Sequence, residues 1–152
     1  MPPQLNFTEM SRLAWVLCAL SNGESACART ALAWAFRNRL EALAERAEPL
    51  SFFELCDRLG NDSRANETAT AGPTVSDFQS PDYCLALSSL CSVWSGDQAD
   101  PTEGALCFHR HNMLPRWASA MEPCALIGSF FFYNKASELS FARPLGRMSG
   151  RG

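Results

Sequence analysis

Apolar side chains recur every three or four positions in three stretches of the chain, and this spacing predicts three main helices. The stretches cover residues 9–21, 25–47 and 81–95. Gly23 and Gly96 follow the first and the third stretch, and glycine is typical of the residue that ends a helix. The first two helices are therefore expected to be joined by a tight turn.

Between these helices and after them, the pattern predicts shorter elements. A capping-box sequence at Ser51 predicts a short helix over residues 51–59, and the polar segment 61–79 is expected to form a long surface loop. Residues 105–109 and 127–133 read as extended strands. Residues 115–118 predict a short helical turn after a proline.

These elements together predict a mostly helical α+β fold in a single domain. We expect an N-terminal extension over residues 1–8, the folded domain over residues 9–135, and a C-terminal tail over residues 136–152. The tail ends in a short basic, glycine-rich segment, which is typical of chain ends that do not join a core.

Composition excludes several classes of protein. The 152 residues are 47% hydrophobic and 19% charged, values that are ordinary for a folded domain. The formal net charge of −3 gives no general attraction to nucleic acid or anionic lipid, so neither is an expected partner. The seven cysteines form no CxxC pair and cannot all pair within one chain. Cys18, Cys84 and Cys91 lie among apolar residues at helical spacing, so we expect them to be small buried thiols made in a reducing cytoplasm.

Glu24 is the first candidate for chemistry, because it follows a glycine at the break between two apolar helices. A cleft at that break would keep the carboxyl protonated at neutral pH, as a general acid requires. The alternative is structural: an acidic residue in the first turn of the second helix would interact favourably with the helix dipole.

Cys107, His109 and His111 alternate along a predicted strand and would share one face of it. They are suitable types for metal ligands or for a Cys/His nucleophile pair. In the structural alternative, the strand is half-buried and His109 binds a backbone carbonyl. No fourth ligand has conventional spacing, so neither a metal nor another cofactor is expected. Trp117, in a loop after proline and arginine, is a candidate to line a sugar-binding groove.

Three segments, in order along the chain, carry a resemblance to a known family. Residues 13–39 contain Asn22-Gly23-Glu24-Ser25 and end in Arg37-Asn38-Arg39. Residues 94–109 contain Asp100-Pro101-Thr102-Glu103-Gly104 and end in Phe108-His109. The third segment contains Pro115-Arg116-Trp117-Ala118, then Ile127-Gly128 and Phe132-Tyr133.

These segments resemble the spore-cortex-lytic (SleB-like) cell wall hydrolase family, including its short phage and prophage forms. The resemblance implies a lysozyme-like fold and cleavage of peptidoglycan glycan strands by hydrolysis or lytic transglycosylation. One carboxylic acid protonates the glycosidic oxygen in that chemistry. The family's acid is expected to be the first glutamate of its GEARGE motif, which is Leu20 here, so Glu24, the second glutamate, would be the catalytic residue only by taking over that role. His109, Trp117 and Tyr133 match positions of the family pattern, and we expect them to bind the substrate.

The chain departs from the family pattern at polar positions. Leu20 stands where the family has the first glutamate of its GEARGE motif, Cys107 replaces a histidine, and Phe130 replaces another. The chain is therefore either a hydrolase that uses Glu24 or an inactive relative that binds glycan or serves as a structural tail component. We expect synthesis in the cytoplasm without a signal peptide, and action in a virion-like particle or the cell envelope, with other particle proteins as further partners.

Overall fold

The computed structural model of the protein describes residues 3–45 and 79–134. Three α-helices come first within these ranges: α1 Phe7–Leu20, α2 Ala26–Glu45 and α3 Pro81–Ser95. A three-stranded antiparallel sheet follows, with strands β1 Cys107–Arg110, β2 Ala125–Ile127 and β3 Phe130–Tyr133. A single 3-10 turn, Arg116–Ala118, lies between β1 and β2. The prediction of a mostly helical α+β fold is confirmed.

Helix α1 begins two residues earlier than the apolar spacing predicts, because Asn6 caps it. The Asn6 side chain accepts a hydrogen bond from the Glu9 N–H at 2.8 Å, and Glu9 Oε1 accepts one from the Asn6 N–H at 3.0 Å. This reciprocal capping box satisfies two backbone donors that have no partner inside the helix. Part of the predicted N-terminal extension is thus helical, and Trp94 Nε1 donates to the Pro3 carbonyl at 2.8 Å.

Helix α3 has the ends that its sequence predicts. Ser80 caps its start, Pro81 occupies the first turn, and Gly96 ends it in the left-handed conformation with φ of 84°. The prediction of buried thiols on these helices is wrong, because Cys84 and Cys91 are exposed on α3 and Cys18 on α1 is only partly buried. The predicted second helix is observed through Glu45. The predicted helix over residues 51–59, the tail over residues 136–152, and all of the predicted loop over residues 61–79 except its last residue lie outside the described residues.

The core forms where α3 packs against both α1 and α2, and where strands β1 and β2 pack against α2. Its fully buried members come from every helix and from two strands: Leu13, Leu17, Leu20, Leu32, Phe36, Leu90, Phe108, Phe130 and Phe132. Burying each such side chain is worth about 1.5–3 kcal/mol, so the aromatic residues of the sheet fix it to the helices.

The sheet has the strand order β1-β3-β2. The prediction of one strand over residues 127–133 is wrong, because Gly128 and Ser129 form a two-residue turn between β2 and β3. Gly128 has φ of 60° at the first position of this turn, where a tight hairpin favours glycine. The turn carries the hairpin back beside the loop that joins α1 to α2.

Candidate functional site

The two faces of the sheet have different surroundings. Phe108, Phe130 and Phe132 point to the helices, whereas Cys107, His109, Phe131 and Tyr133 alternate with them and lie on the outer face. The 3-10 turn packs Trp117 and Ala118 against Cys107 and Tyr133 on that outer face. The outer face therefore carries a second, smaller apolar cluster.

An open cleft of about 530 Å³ lies on this outer face. His109 and Tyr133 form its floor, since they line it with only 2% and 4% of their surface exposed. The other lining residues are His111, Asn112, Met113, Leu114, Ala118, Ser119, Met121, Pro123 and Phe131. The sides are thus mixed apolar and neutral polar.

His109 and Tyr133 are hydrogen-bonded to each other at the floor of the cleft. His109 Nδ1 lies 2.7 Å from the Arg110 carbonyl oxygen, which can only accept, so Nδ1 carries the proton. In the neutral ring, Nε2 then accepts from the Tyr133 hydroxyl at 2.8 Å. Burial raises the pKa of Tyr133, which keeps the phenol protonated as a donor. The structural alternative predicted for His109, a bond to a backbone carbonyl, is confirmed.

Trp117 packs beside this pair, with its ring centroid 5.3 Å from Tyr133 and 5.9 Å from His109, both edge to face. It is partly buried and does not line the cleft. The structure thus brings together the three residues that the resemblance assigns to substrate binding. Two of them line the cleft and the third supports their rings.

Glu24 lies at the junction between α1 and α2, apart from the residues that line the cleft. Ser25 Oγ accepts from the Ala28 N–H at 3.2 Å at the start of α2, so Glu24 precedes the first turn of that helix. The Glu24 side chain is 11% exposed. Its Oε1 accepts from the Ser129 N–H at 3.2 Å, and its Oε2 lies 4.0 Å from Arg110 Nη1.

Arg110, which the sequence did not single out, connects the sheet to the end of α1. Its Nη2 donates to the Leu20 carbonyl at 2.9 Å, and its guanidinium lies 4.9 Å from the centroid of the Phe130 ring. Helix α1 has no basic residue in its own last turn, so Arg110 supplies the positive charge that a helix C-terminus favours. The contact joins residues 90 positions apart, and no local pattern indicates it.

Outside the cleft, hydrogen bonds among Asn38, Asp100 and Thr102 fix the loop before β1. Asp100 Oδ1 accepts from the N–H and hydroxyl of Thr102 at 2.8 and 2.6 Å, and Oδ2 accepts from the Gly104 N–H at 3.0 Å. Asn38 Nδ2 donates to Asp100 Oδ2 at 3.0 Å and to the Ala105 carbonyl at 3.1 Å. These residues form hydrogen bonds with one another, so in the described structure they stabilise the conformation of the loop before β1.

The structure does not bring Cys107, His109 and His111 together as a metal site. His111 lies beyond the end of β1 with an exposed side chain, whereas Cys107 is fully buried. Within residues 3–45 and 79–134, no group of three His, Cys, Asp or Glu side chains could hold a metal ion. The described helices also include none that is long and apolar enough to span a membrane.

Comparison of the chain with protein-family models, with curated proteins and with solved structures gives no match in any of the three. The geometry of the cleft and of Glu24 therefore carries the functional argument, together with the motif resemblance.

Proposed function

We propose that this chain is a cell-wall-hydrolase-like domain that binds the glycan strands of peptidoglycan in the cleft without cleaving them. The observation that carries the proposal is the position of Glu24. Its carboxylate is engaged by the Ser129 N–H and lies beside the Arg110 guanidinium, and it does not line the cleft. Both carboxyl oxygens are thus directed to groups outside the cleft lining, so neither is placed to reach a glycosidic oxygen bound in the cleft.

The other positions considered as proton donors also favour binding without cleavage. Leu20, at the place of the family's first glutamate, is fully buried in the helical core. No Asp or Glu is among the described residues that line the cleft. The Nδ1 proton of His109 is donated to a carbonyl, and its Nε2 accepts from Tyr133. Most glycosidases use a carboxylic acid at the leaving oxygen, and the described lining of the cleft offers no carboxyl group for that role.

The cleft has the side chains that a sugar chain needs for binding. Phe131 is partly exposed and offers a ring against which the C–H face of a pyranose can pack, beside Met113 and Leu114. Asn112 and Ser119 supply an amide and a hydroxyl for hydrogen bonds with ring substituents. Pockets that combine apolar walls with a few polar groups are typical of small-ligand sites.

Residues from the three segments that carry the resemblance contact one another in the structure, and these contacts support the proposal. Asn38 of the first segment binds Asp100 of the second, and Glu24 of the first binds the backbone next to Gly128 of the third. His109 of the second binds Tyr133 of the third. A fold whose framework is kept while its acid is lost would retain these contacts.

Co-sedimentation with purified peptidoglycan sacculi tests binding. We expect wild-type protein to pellet with sacculi, and Phe131→Ala to lower the bound fraction at least fivefold. Leu126→Ala is the matched control, because Leu126 pairs with Phe131 across the sheet and is 59% exposed but does not line the cleft. Failure of the wild type to pellet, or equal binding by Phe131→Ala, would overturn the proposal.

Cleavage with Glu24 as the acid is the second candidate. It is favoured by the 11% exposure of this side chain, which is a partly desolvated carboxyl. Zymography on peptidoglycan decides between the candidates: clearing by the wild type that is lost in Glu24→Gln supports cleavage, and no clearing by the wild type removes it. We propose a virion-like particle or the cell envelope as the site of action, and co-fractionation of a tagged chain with either tests that part.

A further inference from the structure

We infer that Glu24 and Arg110 form a positioning pair, which holds the two histidines of the cleft from outside it. Neither residue lines the cleft. Glu24 is connected through Ser129 to the backbone N–H of His111, and the Arg110 carbonyl is bonded directly to the His109 ring. The inference goes beyond glycan binding, because it assigns a role to residues that would not touch a ligand. Only its affinity measurement rests on the proposed function.

The first connection runs from Glu24 through Ser129 to His111. Glu24 Oε1 accepts from the Ser129 N–H at 3.2 Å, which fixes the turn of the β2–β3 hairpin to the α1–α2 junction. The carbonyl of the same Ser129 accepts from the His111 N–H at 2.7 Å. Both polar groups of the Ser129 backbone are thus used, one toward Glu24 and the other toward a residue that lines the cleft.

The second connection runs from Arg110 to His109. The Arg110 side chain is held at the C-terminus of α1 by its bond to the Leu20 carbonyl and by the carboxylate of Glu24. Its own backbone carbonyl accepts the Nδ1 proton of His109 at 2.7 Å. This bond selects the tautomer in which Nε2 faces the Tyr133 hydroxyl as an acceptor. Anchoring Arg110 therefore orients the imidazole at the floor of the cleft.

Amide hydrogen exchange tests the pair without any ligand. The two probes are the His111 N–H, which binds the Ser129 carbonyl near the pair, and the Leu106 N–H, which binds the Tyr133 carbonyl at the far end of the β1–β3 ladder. In Glu24→Ala we expect the His111 amide to exchange at least tenfold faster relative to the Leu106 amide than in the wild type. An unchanged ratio of the two rates would overturn the inference, because a general loss of stability moves both amides alike.

Milder substitutions at Glu24 and Arg110 provide the test if Glu24→Ala does not fold. Glu24→Gln retains an oxygen for the Ser129 N–H but loses the charge beside Arg110, so we expect an intermediate ratio. If Glu24→Ala does not fold, Glu24→Gln and Arg110→Lys provide the comparison, and a wild-type ratio in both would contradict the pair. Glu122→Gln is the matched control, because Glu122 is exposed beside the cleft residues Met121 and Pro123, and its ratio should stay at the wild-type value.

Affinity for chitotetraose, a soluble oligomer of N-acetylglucosamine, provides the second measurement. We expect Glu24→Ala to raise the Kd at least fivefold and Glu122→Gln to leave it within twofold. An unchanged Kd in Glu24→Ala, with measurable binding by the wild type, would contradict the inference. If the wild type binds neither chitotetraose nor sacculi, glycan binding fails, and the exchange ratio still decides whether Glu24 and Arg110 hold the turn that bonds His111.

Discussion

The Asn38 side chain donates a hydrogen bond to Asp100 Oδ2 at 3.0 Å and so joins helix α2 to a loop 62 positions further along the chain. The same Nδ2 atom also donates to the Ala105 carbonyl at 3.1 Å, directly before β1. The carboxylate of Asp100 in turn binds the backbone N–H groups of Thr102 and Gly104. One asparagine thereby sets where β1 begins, and β1 carries His109 into the cleft.

Removing this asparagine should destabilise the fold. Asn38→Ala takes a donor from a partly buried carboxylate, and a hydrogen bond to a charged group is worth about 1.5–3 kcal/mol. We expect the free energy of unfolding, measured by urea denaturation, to fall by about 2 kcal/mol. Asn134→Ala is the control, because exposed Asn134 donates only a 3.3 Å bond to the Glu103 carbonyl. Equal losses in the two variants would contradict the role of Asn38.

Gly128 should tolerate no side chain. A Cβ at this position would lie 2.7 Å from Glu24 Oε1 and 2.8 Å from Ala28 Cβ, in addition to the strain of a positive φ. Gly128→Ala should lower the free energy of unfolding by roughly 3 kcal/mol. Gly23→Ala has similar backbone strain with nothing within 4 Å, so it should lose only about 1 kcal/mol. A Gly128→Ala loss no larger than that of Gly23→Ala would show that the hairpin does not approach Glu24 this closely.

Glu103 offers a stabilising substitution. It is a non-glycine residue with φ of 59°. The left-handed conformation costs an L-residue about 1–2 kcal/mol, whereas glycine adopts it freely. Glu103→Gly should therefore raise the free energy of unfolding by about 1 kcal/mol. Glu103→Ala removes the same charge but keeps the Cβ, and a gain of equal size in that variant would refute the backbone explanation.

Tyr133 should make stability fall at alkaline pH. Burial raises the pKa of its hydroxyl above the ordinary value of 10.0, so the folded state favours the neutral phenol. This contribution is complete below pH 10 and is lost as the pH rises from there toward the folded-state pKa. Tyr133→Phe should cost about 1 kcal/mol at pH 7, through the lost bond to His109, and should flatten the fall in stability above pH 10.

The second tyrosine provides the control for that measurement. Burial also raises the pKa of Tyr83, so Tyr83→Phe should remove only its own part of the alkaline loss and leave the part due to Tyr133. Because the chain has two tyrosines, the double variant should have the flattest profile. An unchanged alkaline slope in Tyr133→Phe would mean that this hydroxyl is not desolvated in the folded state.

Restoring the family's acid should not restore a hydrolase. Leu20 is fully buried among core residues, and an unpaired carboxyl placed there carries a large desolvation cost. Leu20→Glu should lower the free energy of unfolding by roughly 3 kcal/mol or more, and it should release no soluble sugar from sacculi. Leu20→Met, which nearly conserves volume, should lose less than about 1.5 kcal/mol. A stable Leu20→Glu protein that clears peptidoglycan would mean that this position faces the cleft.

The helices are predictable from the sequence because their signals are local. Repeating apolar positions identified α1, α2 and α3, and the cap at Ser80 with the glycine at position 96 fixed both ends of α3. The start of α1 was missed because the capping box at Asn6 lies before the apolar repeat. The hairpin is not evident from the sequence because its two strands read as one apolar run, interrupted only by Gly128 and Ser129.

The site was predictable only in part, because many of its contacts join residues that are far apart in the sequence. A motif can indicate that His109, Trp117 and Tyr133 belong together. The pairing of β1 with β3 places the His109 and Tyr133 rings beside each other, and the 3-10 turn adds Trp117. No pattern indicates that Arg110 reaches Leu20 or that Glu24 binds Ser129, because these contacts join positions 90 and 105 residues apart. Those contacts change Glu24 from a candidate acid into a candidate positioning residue.

The most direct test is a single incubation of the wild-type protein with purified sacculi, in which retained protein and released sugar are both quantified. Binding without cleavage predicts protein in the pellet, reduced by Phe131→Ala but not by Leu126→Ala, and no muropeptides or glycan fragments in the supernatant. Protein left wholly in the supernatant, or soluble fragments released in proportion to enzyme and time, would contradict the account.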